Sequence, residues 1–238
     1  MPDSINSYKQ GLKNGIPIGL GYLSVSFTFG MMAVSSGLSI PAALAISMTC
    51  LTSAGQFAGI AIIAAGSSFV EMILTQLVIN IRYALMSVSL SQKADESLTT
   101  PHRLMVSFAI TDEVFAVASS KPCDVGRRYM YGLITVPYIG WSLGTLLGAL
   151  VSGILPSSLS SALSIAIYGM FIAIIIPPAK KSKAILYVII AAAALSALFR
   201  YLPLFSGLSG GFAIIICAVA ASAFGAIFFP IKKEEYEQ

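Results

Sequence analysis

Four charged side chains, Glu71, Arg82, Asp112 and Glu113, fall within about forty residues of a chain that is otherwise almost continuously apolar from Gly15 to Pro230. Charge at bilayer depth is costly: an arginine near the middle of a spanning helix costs roughly 2.5–3.5 kcal/mol on insertion scales, and more if isolated. Arg82 therefore requires a counter-charge, and the acids of Ile110-Thr111-Asp112-Glu113 are the nearest in sequence. A carboxylate beside a guanidinium can respond to a proton or to the charge of a substrate. The same pair can also be a static ion pair that fixes helix register. Residue type does not separate Asp112 from Glu113 in either role. Glu71 lies close to the start of its apolar segment, a position that suits the membrane interface.

The polar side chains around these charges follow the helical period. Gln76, Asn80, Tyr83, Ser87 and Ser91 are spaced by four, three, four and four residues, which puts them on one face. Glu71, Thr75, Arg82 and Ser89 form a second stripe well over 90° around the helix. A helix so polar on two sides is expected at the centre of a bundle. Upstream, Thr52-Ser53-Ala54-Gly55-Gln56 places five small or polar residues in the middle of an apolar run, followed by Phe57. Non-helical backbone at that depth is tolerated only where it lines a cavity or is covered by protein. Half-helix ends with free N–H groups are anion sites in many transporters. A small-residue packing face would have the same composition, and both readings stand. Tyr138 and Trp141 lie inside their apolar run, where they can line a pathway or fill a core.

Little else is reactive. The single histidine, His102, is expected in a polar loop beside Pro101, so no HExxH zinc site can form. Gly-x-Ser-x-Gly is absent, and Asp112 is the only aspartate in an apolar segment, which excludes the paired aspartates of an intramembrane protease. Cys50, Cys123 and Cys217 lie far apart with no CxxC spacing. There is no GxxxxGK[ST] phosphate loop. These absences point away from an enzyme and imply no cofactor or metal, and any energy source is a gradient or a partner.

The elements that must position these residues are membrane elements. The 238 residues are 57% hydrophobic and 10% charged with a mean hydropathy of +0.87, whereas soluble domains carry about a quarter charged residues. The fold class is an all-α polytopic membrane protein of about eight transmembrane or re-entrant elements, the second one broken. Apolar segments run at 15–36, 40–66, 69–91, 104–119, 130–155, 160–178, 184–203 and 207–230. They form one transport domain, 15–230, between polar ends at 1–14 and 231–238. Gly15 with Gly19, Gly144 with Gly148, and Ala191 to Ala194 have the small-residue spacing of close helix contacts. Arg200, near a segment end, is placed to snorkel to the interface.

The net charge of +4 comes from basic residues at the ends of apolar runs, which suits loop charge rather than nucleic-acid binding. With eight crossings, Lys9 and Lys13, then Lys121, Arg127 and Arg128, then Lys180, Lys181 and Lys183, then Lys232 and Lys233 all fall on one side, with both termini cytoplasmic. The loop from Gln92 to Arg103 would then lie outside, its Lys93 and Arg103 balanced by Asp95 and Glu96. If the second and fourth segments were re-entrant hairpins, that loop would return to the cytoplasm.

The residues also resemble a known family, AzlC, the large subunit of two-component branched-chain amino acid exporters. The resemblance covers nearly the whole chain. It rests on Gly15-Ile16-Pro17 followed by Gly30, on Ser53-Ala54-Gly55-Gln56-Phe57-Ala58, on Asn80-Ile81-Arg82-Tyr83 leading to Met86 and Ser87, on Thr111-Asp112-Glu113, and on Tyr138, Trp141, Thr145 and Gly148. One departure is that Thr52-Ser53-Ala54-Gly55-Gln56 shifts the small residues relative to the family's usual second-segment motif. The resemblance implies a hetero-oligomer with a small AzlD-like membrane subunit in a bacterial cytoplasmic membrane. It also implies secondary active export of hydrophobic amino acids, which the absence of an ATP motor suits and which a proton gradient would drive. Such a zwitterion needs a cationic partner for its carboxylate, an acceptor for its ammonium and an apolar pocket. Arg82 or the amides of the broken helix suit the first, Asp112 or Glu113 the second, and Phe57 with neighbouring aliphatics the third. Two other classes fit the same residues: a scaffold subunit whose partner contains the path, and a channel for a small neutral solute.

Overall fold

The computed structural model describes residues 6–153, 172, 175–180, 182–202, 205 and 207–230. Most of the sixth expected segment, 160–178, lies outside these residues, as does the tail 231–238. Among the described residues the helices are α1 (Tyr8–Ser35), α2 (Ile40–Thr49), α3 (Ala54–Ala64), α4 (Phe69–Ser91), α5 (Thr100–Ser107), α6 (Asp112–Ser119), α7 (Arg127–Val151), α8 (Lys183–Tyr201) and α9 (Gly210–Phe228). Serine and threonine caps set many of the starts. Ser7, Ser39, Thr111, Ser182 and Ser209 each accept the backbone N–H three residues on, satisfying a donor that the helix itself leaves open. Through Ser7, α1 begins within the polar N-terminal segment. Among the described residues, five helices, α1, α4, α7, α8 and α9, are long and apolar enough to cross a membrane. The chain forms two compact units, Met1–Ile60 with Asn80–Ser164, and Ala61–Ile79 with Ile165–Gln238.

The spine of the first unit is the pair α1 and α7, which run parallel. Contacts advance together along both helices: Gly11 meets Tyr129, Gly15 meets Leu133, Gly19 meets Val136, and Gly30 meets Thr145. Glycine allows the approach. A Cβ on Gly30 would lie 2.0 Å from the Thr145 carbonyl oxygen, and one on Gly148 would lie 1.8 Å from that of Phe27. With no hydrophobic drive between helices in lipid, this close backbone packing supplies the attraction. The expected Gly15/Gly19 and Gly144/Gly148 pairs thus belong to one seam.

Each broken segment folds back on itself beside this spine. The α2–α3 segment turns at Cys50 to Ser53, where Ser53 has φ +45. Gln56 of α3 then bonds Ser47 of α2, while Ile60 packs with Ala43, Phe29 and Ala33 near the C-terminal end of α1. The segment therefore enters from that end and returns to it. The fourth segment is broken too, into α5 and α6, around Phe108 to Thr111. His102 sits in the first turn of α5, not in a loop, and hydrogen-bonds Tyr131 near the start of α7 at 2.8 Å. Beyond α6 the chain returns to that same end. Val125 donates to the Lys93 carbonyl at 2.9 Å, Asp95 donates to the Val125 carbonyl at 3.1 Å, and Lys93 Nζ donates to the carbonyls of Ser119 and Lys121. The connections on either side of the α5–α6 hairpin are thus joined backbone to backbone. Of the two readings the sequence left open, the re-entrant one holds.

The hairpins are built alike and inserted from opposite ends. Leu38-Ser39-Ile40-Pro41 opens α2 and Leu98-Thr99-Thr100-Pro101 opens α5, each with its proline in the first turn. Each turn has four residues, and each second limb carries a Phe-Ala pair, Phe57-Ala58 or Phe115-Ala116.

The polarity of α4 is inverted relative to a soluble helix. Ile73, Leu74, Leu77, Ile81, Leu85 and Val88 are exposed, whereas Glu71 and Thr75 are buried. The enclosure expected from the two polar stripes is partial among the described residues: Glu71 and Thr75 are buried, Ser89 and Ser91 are exposed, and an apolar face is open.

In the second unit α8 packs on α9, with Tyr187 stacked on Phe229 at 5.7 Å between centroids. An apolar groove of about 730 Å³, lined by Ala192, Ala193, Phe199, Ala213 and Cys217 with Arg200 at its edge, lies between them. Glu71, expected near the membrane interface from its place at the start of α4, is covered by protein. It is 4% exposed, and Oε1 accepts from Ser209 Oγ at 2.6 Å and from the Gly211 N–H at 2.9 Å, at the N-terminus of α9. The partial positive charge of a helix start and two neutral donors compensate a carboxylate that a bare membrane position would not tolerate.

Candidate functional site

The two hairpin turns reach the middle of the α1–α7 spine. Tyr22 and Trp141 lie fourteen residues into their helices, which at 1.5 Å per residue is ~21 Å from either start. Leu51 from one turn and Ile110 from the other belong to one buried cluster with Tyr22 and Trp141. Tyr138 links the two hairpins: its hydroxyl donates to the Met48 carbonyl at 3.2 Å, and its ring packs on Phe108 at 6.4 Å between centroids.

Two groups of polar side chains meet there. The first belongs to the α5–α6 turn. Thr111 caps α6, so Asp112 and Glu113 fall in its first turn, where the helix dipole favours negative charge. The Asp112 carboxylate pairs with Arg82 Nη1 at 2.7 Å. The other terminal nitrogen of Arg82 donates to the Tyr83 hydroxyl at 3.1 Å, and the guanidinium lies 4.9 Å from the Tyr83 ring centroid, within cation–π range. Glu113, adjacent in sequence, has different surroundings. Its Oε2 accepts from the Tyr22 hydroxyl, which also lies 2.6 Å from Thr111 Oγ1. Tyr22 packs edge-on against Trp141 at 5.2 Å. The carboxylate that the arginine neutralises is therefore Asp112, a choice the sequence left open.

The second group belongs to the α2–α3 turn. Gln56 is 3% exposed, and its Nε2 donates to Ser47 Oγ at 3.2 Å. Ser47 in turn lies 2.6 Å from Thr145 Oγ1 on α7. Phe57 sets its ring against Phe29 at 5.6 Å. Gln56 Oε1 and Trp141 Nε1 are buried with no hydrogen-bond partner among the described residues, as is Arg82 Nε. These three atoms are one acceptor and two donors left open near the turns, in a region where an unmade bond costs about 1–3 kcal/mol.

Of the sequence candidates, Arg82, Tyr83, Asp112, Glu113 and Trp141 come together at one turn, Ser53, Gln56 and Phe57 at the other, and Tyr138 between them. Asn80 is half-buried on α4. Gln76 belongs to the other compact unit, where its Nε2 meets Met72 Sδ at 3.8 Å on its own helix. Tyr22, Ser47 and Thr145 are polar partners that the sequence did not single out chemically. Thr111 followed by two acids is a helix-start signature that could have located the second break. No local signal marks Tyr22, whose partners lie about ninety residues away.

The charge balance is simple. One guanidinium faces two carboxylates, so with all three ionised the site has room for one further positive charge.

The model of the AzlC protein family matches residues 17–155, which contain every one of these groups. The chain is 31% identical over 145 residues to the inner membrane protein YgaZ of Escherichia coli K12, an alignment covering 59% of each chain. It is 33% identical over 140 residues to an uncharacterized membrane protein of Archaeoglobus fulgidus, covering 59% of this chain and 60% of that one. A membrane protein of Helicobacter pylori J99 is 28% identical over 151 residues, covering 62% and 65%. The chain thus spans about three-fifths of the length of the curated relatives it matches. No solved structure matches it. The matched region contains the glycine seam from Gly19 onward, both hairpins and the charged turn, and by that match the chain is a membrane protein of the AzlC family.

Proposed function

We propose that the protein is a secondary active exporter of branched-chain or other hydrophobic amino acids, driven by the proton gradient and working with a small AzlD-like membrane subunit. The observation that carries this reading is the meeting of two oppositely inserted hairpins at mid-depth, one of which brings a guanidinium and two carboxylates. Broken helices that enter from opposite faces and meet at one site are a transporter design, because either hairpin can move to open the site to its own side. The charges suit a zwitterion, and Phe57, Leu51, Ile110 and Phe108 suit an aliphatic side chain. A scaffold would have no use for buried open donors and acceptors at the turns.

Orientation follows from charge. The hairpin base holds five basic residues, Lys93, Arg103, Lys121, Arg127 and Arg128, against the acids Asp95, Glu96 and Asp124, whereas the opposite turn, Ser36-Gly37-Leu38-Ser39, has no charge. By the positive-inside rule the basic end and the N-terminus face the cytoplasm.

Proteoliposomes containing the chain with its small subunit, loaded with labelled leucine, test the proposal. The expected result is saturable efflux accelerated by an imposed proton gradient and by unlabelled leucine outside. Efflux linear in concentration, or no efflux with both subunits present, would overturn it.

A further inference from the structure

We propose that Glu113 is the exchange carboxylate, holding either the substrate's ammonium group or a proton but not both. This rests on the exporter reading above and names the group that couples its two fluxes. Asp112 is already committed to Arg82 at 2.7 Å. The Glu113 carboxylate is half-buried at the same turn, and it accepts a hydrogen bond from the Tyr22 hydroxyl. The titratable and charged groups that face it among the described residues are Tyr22 from α1, Arg82 and Tyr83 from α4, and Asp112 on its own helix. α7 contributes Trp141, which does not titrate. Glu113 is therefore the carboxylate whose charge no cation at the turn has claimed.

Hydroxyl partners make the carboxylate exchangeable. Tyr22 has a single proton to donate and two neighbours within reach, Glu113 and Thr111. It can serve Glu113 when the carboxylate is ionised and turn to Thr111 when the carboxylate is neutral. The binding steps balance in charge. Ionised Glu113 takes up an ammonium group as an ion pair, or takes up one proton to become a neutral acid. Each state brings the turn to one guanidinium against one unneutralised carboxylate, and a doubly occupied state has no acceptor left for the second positive charge. Mutual exclusion at one group is sufficient for antiport, since the site crosses the membrane only in one filled form or the other.

The test uses the chain with its small subunit in proteoliposomes, with labelled leucine and an enclosed pH-sensitive dye. In the wild type, the half-saturating leucine concentration should rise about tenfold per pH unit once Glu113 begins to protonate, and leucine efflux should move protons inward. Glu113→Gln should abolish proton movement and flatten the pH dependence, with at least a tenfold loss in leucine affinity. Glu113→Asp should restore the pH dependence. Because the Gln variant can fail to fold, Tyr22→Phe provides a second arm: the carboxylate stays, its donor is gone, and the midpoint of the pH profile should shift while coupling persists. Glu113→Gln with wild-type proton movement and pH dependence would overturn the assignment, as would an unshifted Tyr22→Phe profile. In either case wild-type leucine efflux would leave the exporter reading intact, whereas absent wild-type efflux would remove both.

Discussion

At the scale of residues, the arrangement turns on two neighbouring acids with unlike partners. Asp112 neutralises Arg82, and at bilayer depth that pairing is a structural requirement whatever else it does. Removing one partner should then cost more than removing both. Asp112→Asn removes the direct partner of Arg82 and leaves Glu113 as the other acid at the turn; with the paired side chains 40% and 29% exposed, it should destabilise the protein by about 1–2 kcal/mol, between the ranges for exposed and for broken buried pairs. Arg82→Gln combined with Asp112→Asn should recover most of that loss. Thermal unfolding in detergent checks this, and a double variant less stable than Asp112→Asn would show that the pair is not what Arg82 depends on. That Arg82 needs an acid was legible from its depth in an apolar segment. Which acid it takes was not, because adjacent residues on a helix point about 100° apart and only the placement of α4 decides between them. Tyr22 was hidden for a similar reason: a tyrosine in an apolar helix looks the same whether its hydroxyl meets lipid headgroups or a carboxylate.

At the scale of elements, the spine depends on the absence of side chains along α1 and α7. The four-residue spacing of Gly15 and Gly19, and of Gly144 and Gly148, was readable as a packing face, but spacing does not say which helix lies opposite or in which direction it runs. The contacts supply both, and they make a graded prediction. Gly148→Ala would put a methyl group where the Phe27 carbonyl oxygen lies 1.8 Å away, so the helices must separate. A cost on the order of 2 kcal/mol is expected, as for an overpacked core. Gly21→Ala on α1 meets nothing within 4 Å, and should be neutral or gain up to about 1 kcal/mol from helix propensity. Equal effects of the two substitutions on thermal stability would deny the seam. The breaks were partly legible. Thr52 to Gln56 announced the first by composition. The second passed as a short segment, because α5 and α6 together have enough apolar residues to suit either a half-span or a crossing. What closes that hairpin is backbone bonding between Lys93, Asp95 and Val125, which leaves no trace in side-chain pattern.

At the scale of the whole molecule, the parallel run of α1 and α7 restricts how the chain threads the bilayer. Two parallel spans must be separated by an odd number of crossings. Between them lie α4, which is long enough to cross, and the two broken segments. Both broken segments must cross, giving three crossings, or both must fold back, giving one. A mixture would turn α7 antiparallel to α1. The hydrogen bonds at the base of α5–α6 select folding back, and parity then requires the same of α2–α3, in agreement with the Ser47 to Gln56 bond. The basic residues that fitted poorly with eight crossings, Lys93 and Arg103, thereby join Lys121 and Arg127 at one end. Sidedness of labelling gives the measurement. Cys123 is exposed in the connection between α6 and α7; with Cys50 and Cys217 replaced by alanine, it reports its own side through a membrane-impermeant maleimide in right-side-out and inverted vesicles. A cysteine at Thr99, at the base of α5, should label from the same side as Cys123, and one at Ser39, at the base of α2, from the opposite side. Under eight full crossings Ser39 would keep its side, while Thr99 would label opposite to Cys123, so Thr99 alone separates the two topologies.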